Sequence, residues 1–468
     1  MSAYLLPSII HTKEFYKHID YEFVQAPRDQ VQVQTQRDQV PRDLRHTHTQ
    51  KFIINKTLQK YLNKLKAQID ECESAWDKYK KYTNPYEFIH TTVPNARNSI
   101  CQYKPLSRSF FKMVEMCHML NILPELPKEK CKSFHLAEGP GGFIEALVFL
   151  RKNPVDTYYG MTLIEEHNQN VPGWRKSKQF LAENKNIIIE KGHDERGDLM
   201  NPRNLLYCFK YYRGDMDFIT GDGGFDFSVH YLSQEIVSAP LILCQVSFAI
   251  AMQKRGGTFI IKMFDTFTKI SLDILYLLAN IYETVHFVKP HTSRYANSEK
   301  YVICKNFKLD ETAREEIFKV LYKIIAQMQG TNTLEALFAF ELPYYFVNKV
   351  EEYNAIFGQQ QIENINNTLN LIDNNKYDRL EIIKKNNMQK CINWCQQYKL
   401  DYHSSVQPNN IFLMNRHTVT TVHCTGAGAS ISTGTGTGTG TGASISTGAG
   451  TGISTGASTS ASISTGAI

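Results

Sequence analysis

Between Ser133 and Phe307 the chain alternates short apolar runs with longer helix-forming text, and this alternation restricts the fold more than any other feature. The runs Ser133–Ala137, Thr157–Leu163, Asn186–Glu190, Asp217–Gly221, Thr258–Phe264, Thr284–Val288 and Tyr301–Lys305 are short and rich in β-branched or aromatic residues. Strands buried on both faces have that composition. Helices are predicted between them at Gly142–Arg151, Leu232–Lys254 and Lys269–Tyr282. Such alternation specifies an α/β fold, a doubly wound and mostly parallel sheet with helices on both faces. No helix-length text separates the last two runs, so the sheet should close in a hairpin with its final strand antiparallel.

The flanks divide the 468 residues further. Residues 1–85 form an N-terminal extension, 86–309 the sheet domain, 310–417 a helical appendage and 418–468 a tail. Within the extension, residues 26–50 are polar and repetitive, with Arg28-Asp29-Gln30-Val31 recurring as Arg37-Asp38-Gln39-Val40. Text of this kind buries too little apolar surface to order itself. A helix carrying Leu58, Tyr61, Leu62, Leu65 and Ile69 follows. The tail runs to Thr-Gly and Ala-Ser-Ile-Ser repeats without charge from Thr425 to Ile468, and is expected to be disordered.

Composition narrows the function classes. A net charge of +6 suits a phosphate-rich partner without requiring one. The ten cysteines form no framework, and Cys391 and Cys395 have no companion pair at metal spacing, so structural thiols and no metal are expected. Dispersed free thiols fit a reducing compartment. Met1–Ile10 lacks the pattern of a signal peptide. The longest apolar run, Ala239–Met252, is interrupted by Gln245 and is too short to span a bilayer. A soluble, cytoplasmic protein without a membrane partner is the expectation.

Ala137-Glu138-Gly139-Pro140-Gly141-Gly142-Phe143 ends the first strand and opens the first helix. Glycines there let backbone approach a ligand, and the helix N-terminus offers free N–H groups. A plain tight turn is the alternative. The spacing is not Gly-x-Gly-x-x-Gly, because Glu145 stands three residues after Gly142. An adenosyl group without a pyrophosphate, as in S-adenosylmethionine, fits it better than a dinucleotide. Glu165 or Glu166, and Asp194 or Asp198, follow the next strands and are candidates for its ribose hydroxyls and adenine amine, or else ordinary loop residues.

Four charged residues stand out against this frame. Asp222 lies between glycines at a strand end, where nothing needs capping; a turn aspartate is the plain alternative. Lys262 sits inside Thr258-Phe259-Ile260-Ile261-Lys262-Met263-Phe264, and a lysine in a buried strand is costly unless paired. Glu299 precedes the last strand and Lys112 lies on a helix before the first. Alone, each of these two reads as a surface charge. Together the four make a constellation suited to removing a proton from a hydroxyl.

With Gly257–Lys262 and Ser293-Arg294-Tyr295-Ala296-Asn297-Ser298-Glu299-Lys300-Tyr301, these residues resemble the FtsJ-like 2′-O-ribose RNA methyltransferases, most nearly the cap-specific mRNA enzymes of large DNA viruses. The resemblance covers about residues 100 to 307. It implies a seven-stranded sheet ordered 3-2-1-4-5-7-6, S-adenosylmethionine as donor, no required metal, and a Lys-Asp-Lys-Glu tetrad at Lys112, Asp222, Lys262 and Glu299. Cofactor binding would fall to Glu138, Gly139, Pro140, Gly141, Gly142, Phe143 and Asp222. The family usually has a small or neutral residue where Glu138 stands, and a carboxylate there suits the amino group of the methionine moiety. Lys262 would act on the 2′-hydroxyl, its pKa lowered by burial and by Lys112 and raised by Asp222 and Glu299. Arg108, Arg294 and Tyr295 adjoin the tetrad in sequence and are candidates for RNA phosphates or a base. The implied substrate is capped mRNA, with other capping or polyadenylation proteins as partners, in the cytoplasm or a viral factory or particle. The alternatives are a ribosomal or transfer RNA methyltransferase and an idle RNA-binding subunit.

Overall fold

The computed structural model describes residues 3–9, 15–25, 52–165, 173–224, 233–328, 332–374 and 377–403. The repeats at 26–50, the tail from 418 and Glu166 lie outside them. The parallel strands are β3 (Lys132–Leu136), β4 (Thr157–Met161), β5 (Ile187–Ile189), β6 (Met216–Gly221) and β7 (Gln253–Met263). β9 (Lys300–Phe307) runs antiparallel between β7 and β8 (Tyr282–Val288), so β8 shares the direction of the parallel strands, and β1 (Ala3–Leu5) pairs antiparallel with β8. They lie in the order β5-β4-β3-β6-β7-β9-β8-β1. Without β1 this is the expected 3-2-1-4-5-7-6 sheet, and β9 is antiparallel as the missing crossover helix required.

Three features were not read from sequence. β1 adds an eighth strand at the β8 edge, with Leu5 opposite His286. A separate ribbon pairs β2 (Glu22–Gln25) with β10 (Asn332–Ala336), inside text expected to be helical. Helix α6 (Pro202–Tyr212) stands between β5 and β6. Its start signal was present, since the Asn201 side chain accepts the Arg203 N–H and Pro202 opens the first turn.

The expected helix Gly142–Arg151 is α4, as read; Gln234–Met252 is α7 and Lys269–Ile281 is α8. Successive strand residues face opposite layers. Ile219, Phe259 and Ile261 pack with α7 and α8, while Phe218 and Ile260 pack against α4 and against α3 (Ser109–Met119). Among the described residues α7 is the one helix long and apolar enough to cross a membrane, and it is mostly buried in this core.

The described residues all belong to one compact unit. The C-terminal helices α10 (Tyr344–Asn374) and α11 (Tyr377–Gln397) pack on α1 (Lys56–Asp70), α2 (Glu73–Thr83) and the turn at Glu87–Ile89. Trp394 and Cys395 of α11 join the same apolar cluster as Phe111 and Met113 of α3. The C-terminal text therefore supports the helix that carries Lys112.

Candidate active site

The four charged residues meet at the carboxyl ends of β6 and β7. Register does much of this, because Lys262 on β7 stands directly opposite Tyr301 on β9 and side chains at paired positions share a face. The Lys262 ammonium donates to the Asp222 backbone oxygen at 2.8 Å and lies 3.3 Å from its carboxylate. Tyr301 donates its hydroxyl to the same carboxylate at 2.8 Å. Lys112 donates to Glu299 at 2.6 Å and to the Tyr301 oxygen at 3.4 Å. Ser293 donates to the Glu299 carboxylate at 2.7 Å. One hydrogen-bonded chain thus runs from Lys262 through Asp222, Tyr301 and Lys112 to Glu299.

Electrostatics fixes the protonation states. Burial lowers the Lys262 pKa, but the charges of Asp222 and Glu299 outweigh it and the net shift is upward. The lowering expected from a neighbouring lysine does not prevail. Glu299 is also buried, yet Lys112 and then Lys262 hold its carboxyl far below the usual range. At neutral pH the site is an ion cluster with Lys262 charged.

Beside it lies the glycine turn. Gly141 caps α4 at φ +105°, a conformation that disfavours side chains. A Cβ on Gly142 would fall 2.2 Å from the hydroxyls of both Ser107 and Ser109. Glu138 is 3 % exposed; one of its carboxyl oxygens accepts the Phe143 N–H and the other is buried without a partner. Burial, and then the charge of Asp222, raises its pKa well above the carboxylate range. An unpartnered buried carboxyl oxygen is the mark of a site shaped for a cationic or hydrogen-donating group.

Residues 105–307 match the model of the FtsJ-like methyltransferase family. The match spans the sheet region and the four charged residues. The chain is 29% identical over 323 residues to cap-specific mRNA (nucleoside-2′-O-)-methyltransferase 2 of Danio rerio, a match covering 66% of this chain and 42% of that protein. It is 30% identical over 290 residues to cap-specific mRNA (nucleoside-2′-O-)-methyltransferase 1 of Homo sapiens, covering 56% of this chain and 33% of that protein. A 36% identity over 201 residues relates it to the enzyme 1 of Mus musculus, over 42% of this chain and 24% of that one. The chain therefore spans less than half the length of these relatives.

Other residues singled out in this region have different surroundings. Glu165 pairs with Arg196 at 3.0 Å. Asp194 accepts from the side chains of Asn201 and Asn204 and from the Arg196 N–H, so its carboxylate organises the loop after β5. Asp198 accepts the Met200 N–H. Cys391 and Cys395 are buried free thiols. Among the described residues no group of three His, Cys, Asp or Glu side chains is placed to hold a metal ion.

Arg108 and Arg294 converge on a residue that sequence reasoning passed over. Arg108 reaches Glu87 at 3.0 Å and donates to the Thr292 carbonyl at 2.9 Å, while Arg294 reaches Glu87 at 2.7 Å. Glu87 is 2 % exposed, and although burial raises its pKa, Arg108 and Arg294 bring it down to about 2. Tyr295 shares a 2.7 Å hydrogen bond with His291. The three residues proposed for RNA thus clasp the loop that carries Glu299.

Three more functional residues were missed. Tyr301 looked like strand core. Glu115 of α3 accepts the His291 N–H at 2.6 Å, the Thr292 N–H at 3.1 Å and the Trp394 indole N–H at 2.6 Å. Trp174 lies against Gly141 and Gly160 with its indole N–H buried and unpartnered. Gly160 inside β4 was the available signal for it, since a strand-interior glycine marks a close approach.

Proposed function

We propose that the chain transfers a methyl group from S-adenosylmethionine to a ribose 2′-hydroxyl of RNA, and that the RNA is capped mRNA. The observation that carries this reading is the hydrogen-bonded chain of Lys262, Asp222, Tyr301, Lys112 and Glu299 set beside the glycine turn.

The residues present suit the donor. The unpartnered Glu138 oxygen matches an α-amino group, the turn from Gly139 to Phe143 admits close backbone contact, and the Trp174 indole offers a spare donor. Bound there, S-adenosylmethionine supplies a methyl group already activated by its sulfonium charge. The remaining task is to align a weak nucleophile and release its proton.

Lys262 does the aligning. Two of its three N–H groups are engaged by Asp222. The third is left for the hydroxyl oxygen, and fixes a lone pair for in-line attack. Its raised pKa makes Lys262 a hydrogen-bond donor in the resting protein rather than a base. Tyr301 and Lys112 hold Asp222 and Glu299, so neither carboxylate swings away. The proton leaves the oxygen as the new C–O bond forms, with Asp222 the adjacent acceptor.

The cap-specific substrate rests on the relatives, which carry that specificity in their names. Under this reading the protein works in the cytoplasm with other capping or polyadenylation proteins. The test is to incubate it with labelled S-adenosylmethionine and short RNAs that are uncapped, guanosine-capped or 7-methylguanosine-capped. Label on the 2′-oxygen of the first nucleotides of capped RNA alone is expected. Internal label independent of the cap would move the substrate to structured RNA, and no label with intact cofactor binding would overturn catalysis.

A further inference from the structure

Helix α1 meets the active site with one face and leaves a row of lysines on the other. Lys66 reaches Asp265, just beyond Lys262 in the chain, at 2.9 Å. Leu65 packs in one apolar cluster with Ala296 of the loop that carries Glu299. The Ile54 N–H donates to the Phe267 carbonyl at 2.9 Å and ties the start of the helix to the segment after β7. Opposite Leu58, Leu62 and Leu65, the helical period places Lys56, Lys60 and Lys64 on one exposed stripe. Among the described residues no ion pair or side-chain hydrogen bond engages any of these three.

Folding does not account for this row. Lysines four residues apart repel one another along a helix. Lys56 also stands in the first turn, where the helix dipole disfavours a cation. That turn holds no acidic residue, and the Asn55 side chain makes no capping bond but accepts from Asn354 instead. The one carboxylate of the helix, Asp70, is its last residue. Elsewhere the chain matches helical lysines with carboxylates one turn away. Lys80 pairs with Asp77 on α2, Lys319 with Glu315 and Glu316 on α9 (Glu311–Gln327), Lys349 with Glu352 on α10 and Lys384 with Glu381 on α11. The stripe on α1 departs from that pattern and lies beside the strand ends that present Lys262 and Glu299.

We propose that the outer face of α1 is a track for the phosphate backbone of single-stranded RNA that leaves the tetrad. A lysine every four residues sets one ammonium about every 6 Å along the axis, a repeat that suits the phosphates of an extended strand. Tyr61 is 48 % exposed, one turn from Lys64, and offers a ring on which a base can stack. Arg108 and Arg294 are both engaged by Glu87, whereas these lysines are free among the described residues. An acidic protein segment is the competing occupant, and the exposed ring beside the cations favours RNA. The proposal rests on the RNA reading above and places the contact outside residues 105–307.

The test compares the full chain with a variant carrying Lys56→Gln, Lys60→Gln and Lys64→Gln. RNA binding is measured as a function of salt, with a capped dinucleotide and with a capped single strand long enough to cross α1. Binding of S-adenosylmethionine and of poly-glutamate is measured alongside, and thermal unfolding checks the fold. Each phosphate contact on a single strand contributes about 0.7 to the slope of log affinity against log salt, so three contacts contribute about 2. The variant is expected to lose about this much slope on the longer RNA and to bind it about tenfold more weakly or worse. Affinity for the dinucleotide and for S-adenosylmethionine should not change, and stability should be equal or higher. An unchanged slope overturns the proposal. Loss of poly-glutamate binding with RNA affinity intact assigns the face to an acidic protein and overturns the RNA assignment. Stripe-dependent RNA binding by a chain that transfers no methyl group retains the surface and discards the enzymatic reading, whereas methyl transfer with an unchanged slope discards the surface alone.

Discussion

The Trp394 indole N–H lies 2.6 Å from the Glu115 carboxylate, which also accepts the N–H groups of His291 and Thr292. The C-terminal helix α11 thereby reaches the loop that presents Ser293 and Glu299. Trp394→Phe keeps a ring against Phe111 and Tyr398 and removes only the donor. It should cost about 1–3 kcal/mol, the usual penalty for a buried acceptor deprived of its partner. Methyl transfer should fall with little change in cofactor affinity. Chemical denaturation and single-turnover kinetics check both halves.

Tyr301→Phe leaves the strand packing intact and deletes the hydroxyl between Lys112 and Asp222. A roughly tenfold drop in turnover is expected, about the worth of one hydrogen bond to a charged group. If turnover is unchanged, Lys112 and Asp222 do not need their bridge.

Lys262→Met should reduce methyl transfer by about a hundredfold or more, the scale for losing the group that aligns the nucleophile. Calorimetric S-adenosylmethionine binding should survive, because the glycine turn does not depend on this side chain for its backbone bonds. Loss of binding together with activity would reassign Lys262 to holding the site together.

Glu138→Gln keeps the shape of the side chain and removes its capacity for charge. Cofactor affinity should weaken about tenfold or more, in keeping with a hydrogen bond to a charged group. Titration of the folded variant with S-adenosylmethionine decides it, and unchanged affinity would leave the buried Glu138 oxygen without a function.

Acid should release the Arg108–Glu87–Arg294 clasp. The Glu87 pKa in the fold, about 2, is below its ordinary 4.5. Its contribution is therefore complete above pH 4.5 and disappears as pH falls from there toward 2. That contribution is about 3 kcal/mol at neutral pH. Glu87→Gln should be less stable at pH 7 and lose less stability on acidification, which denaturant unfolding at several pH values will show.

What was legible in the sequence followed physical conflict. Lys262 stood out because a charge in apolar strand text is costly, and Asp222 because glycines on either side left it no structural task. The doubly wound sheet and its closing hairpin were legible through the alternation, whereas the strand order came from the family resemblance. Tyr301 escaped notice because an aromatic in a buried strand looks ordinary. Arg108 and Arg294 were read from their place beside the tetrad in the chain, whereas their partner Glu87 comes from a distant turn. Trp394 and Glu115 meet only after α11 folds back on α3. β1 is three residues long, and nothing local marks its pairing with β8.

That short strand also bears on how the protein is assembled during synthesis. Leu5 finds its partner His286 only after the whole sheet core has been made, and its carbonyl waits longer still for the Tyr353 hydroxyl on α10. Contacts this distant in the chain are slow to close, because loop entropy is lost before they form. Until then β8 has an open edge, the kind of surface that recruits other strands. On a translating ribosome the nascent chain would carry that exposed edge until β1 docks on it, a contact that Tyr353 of α10 secures only later.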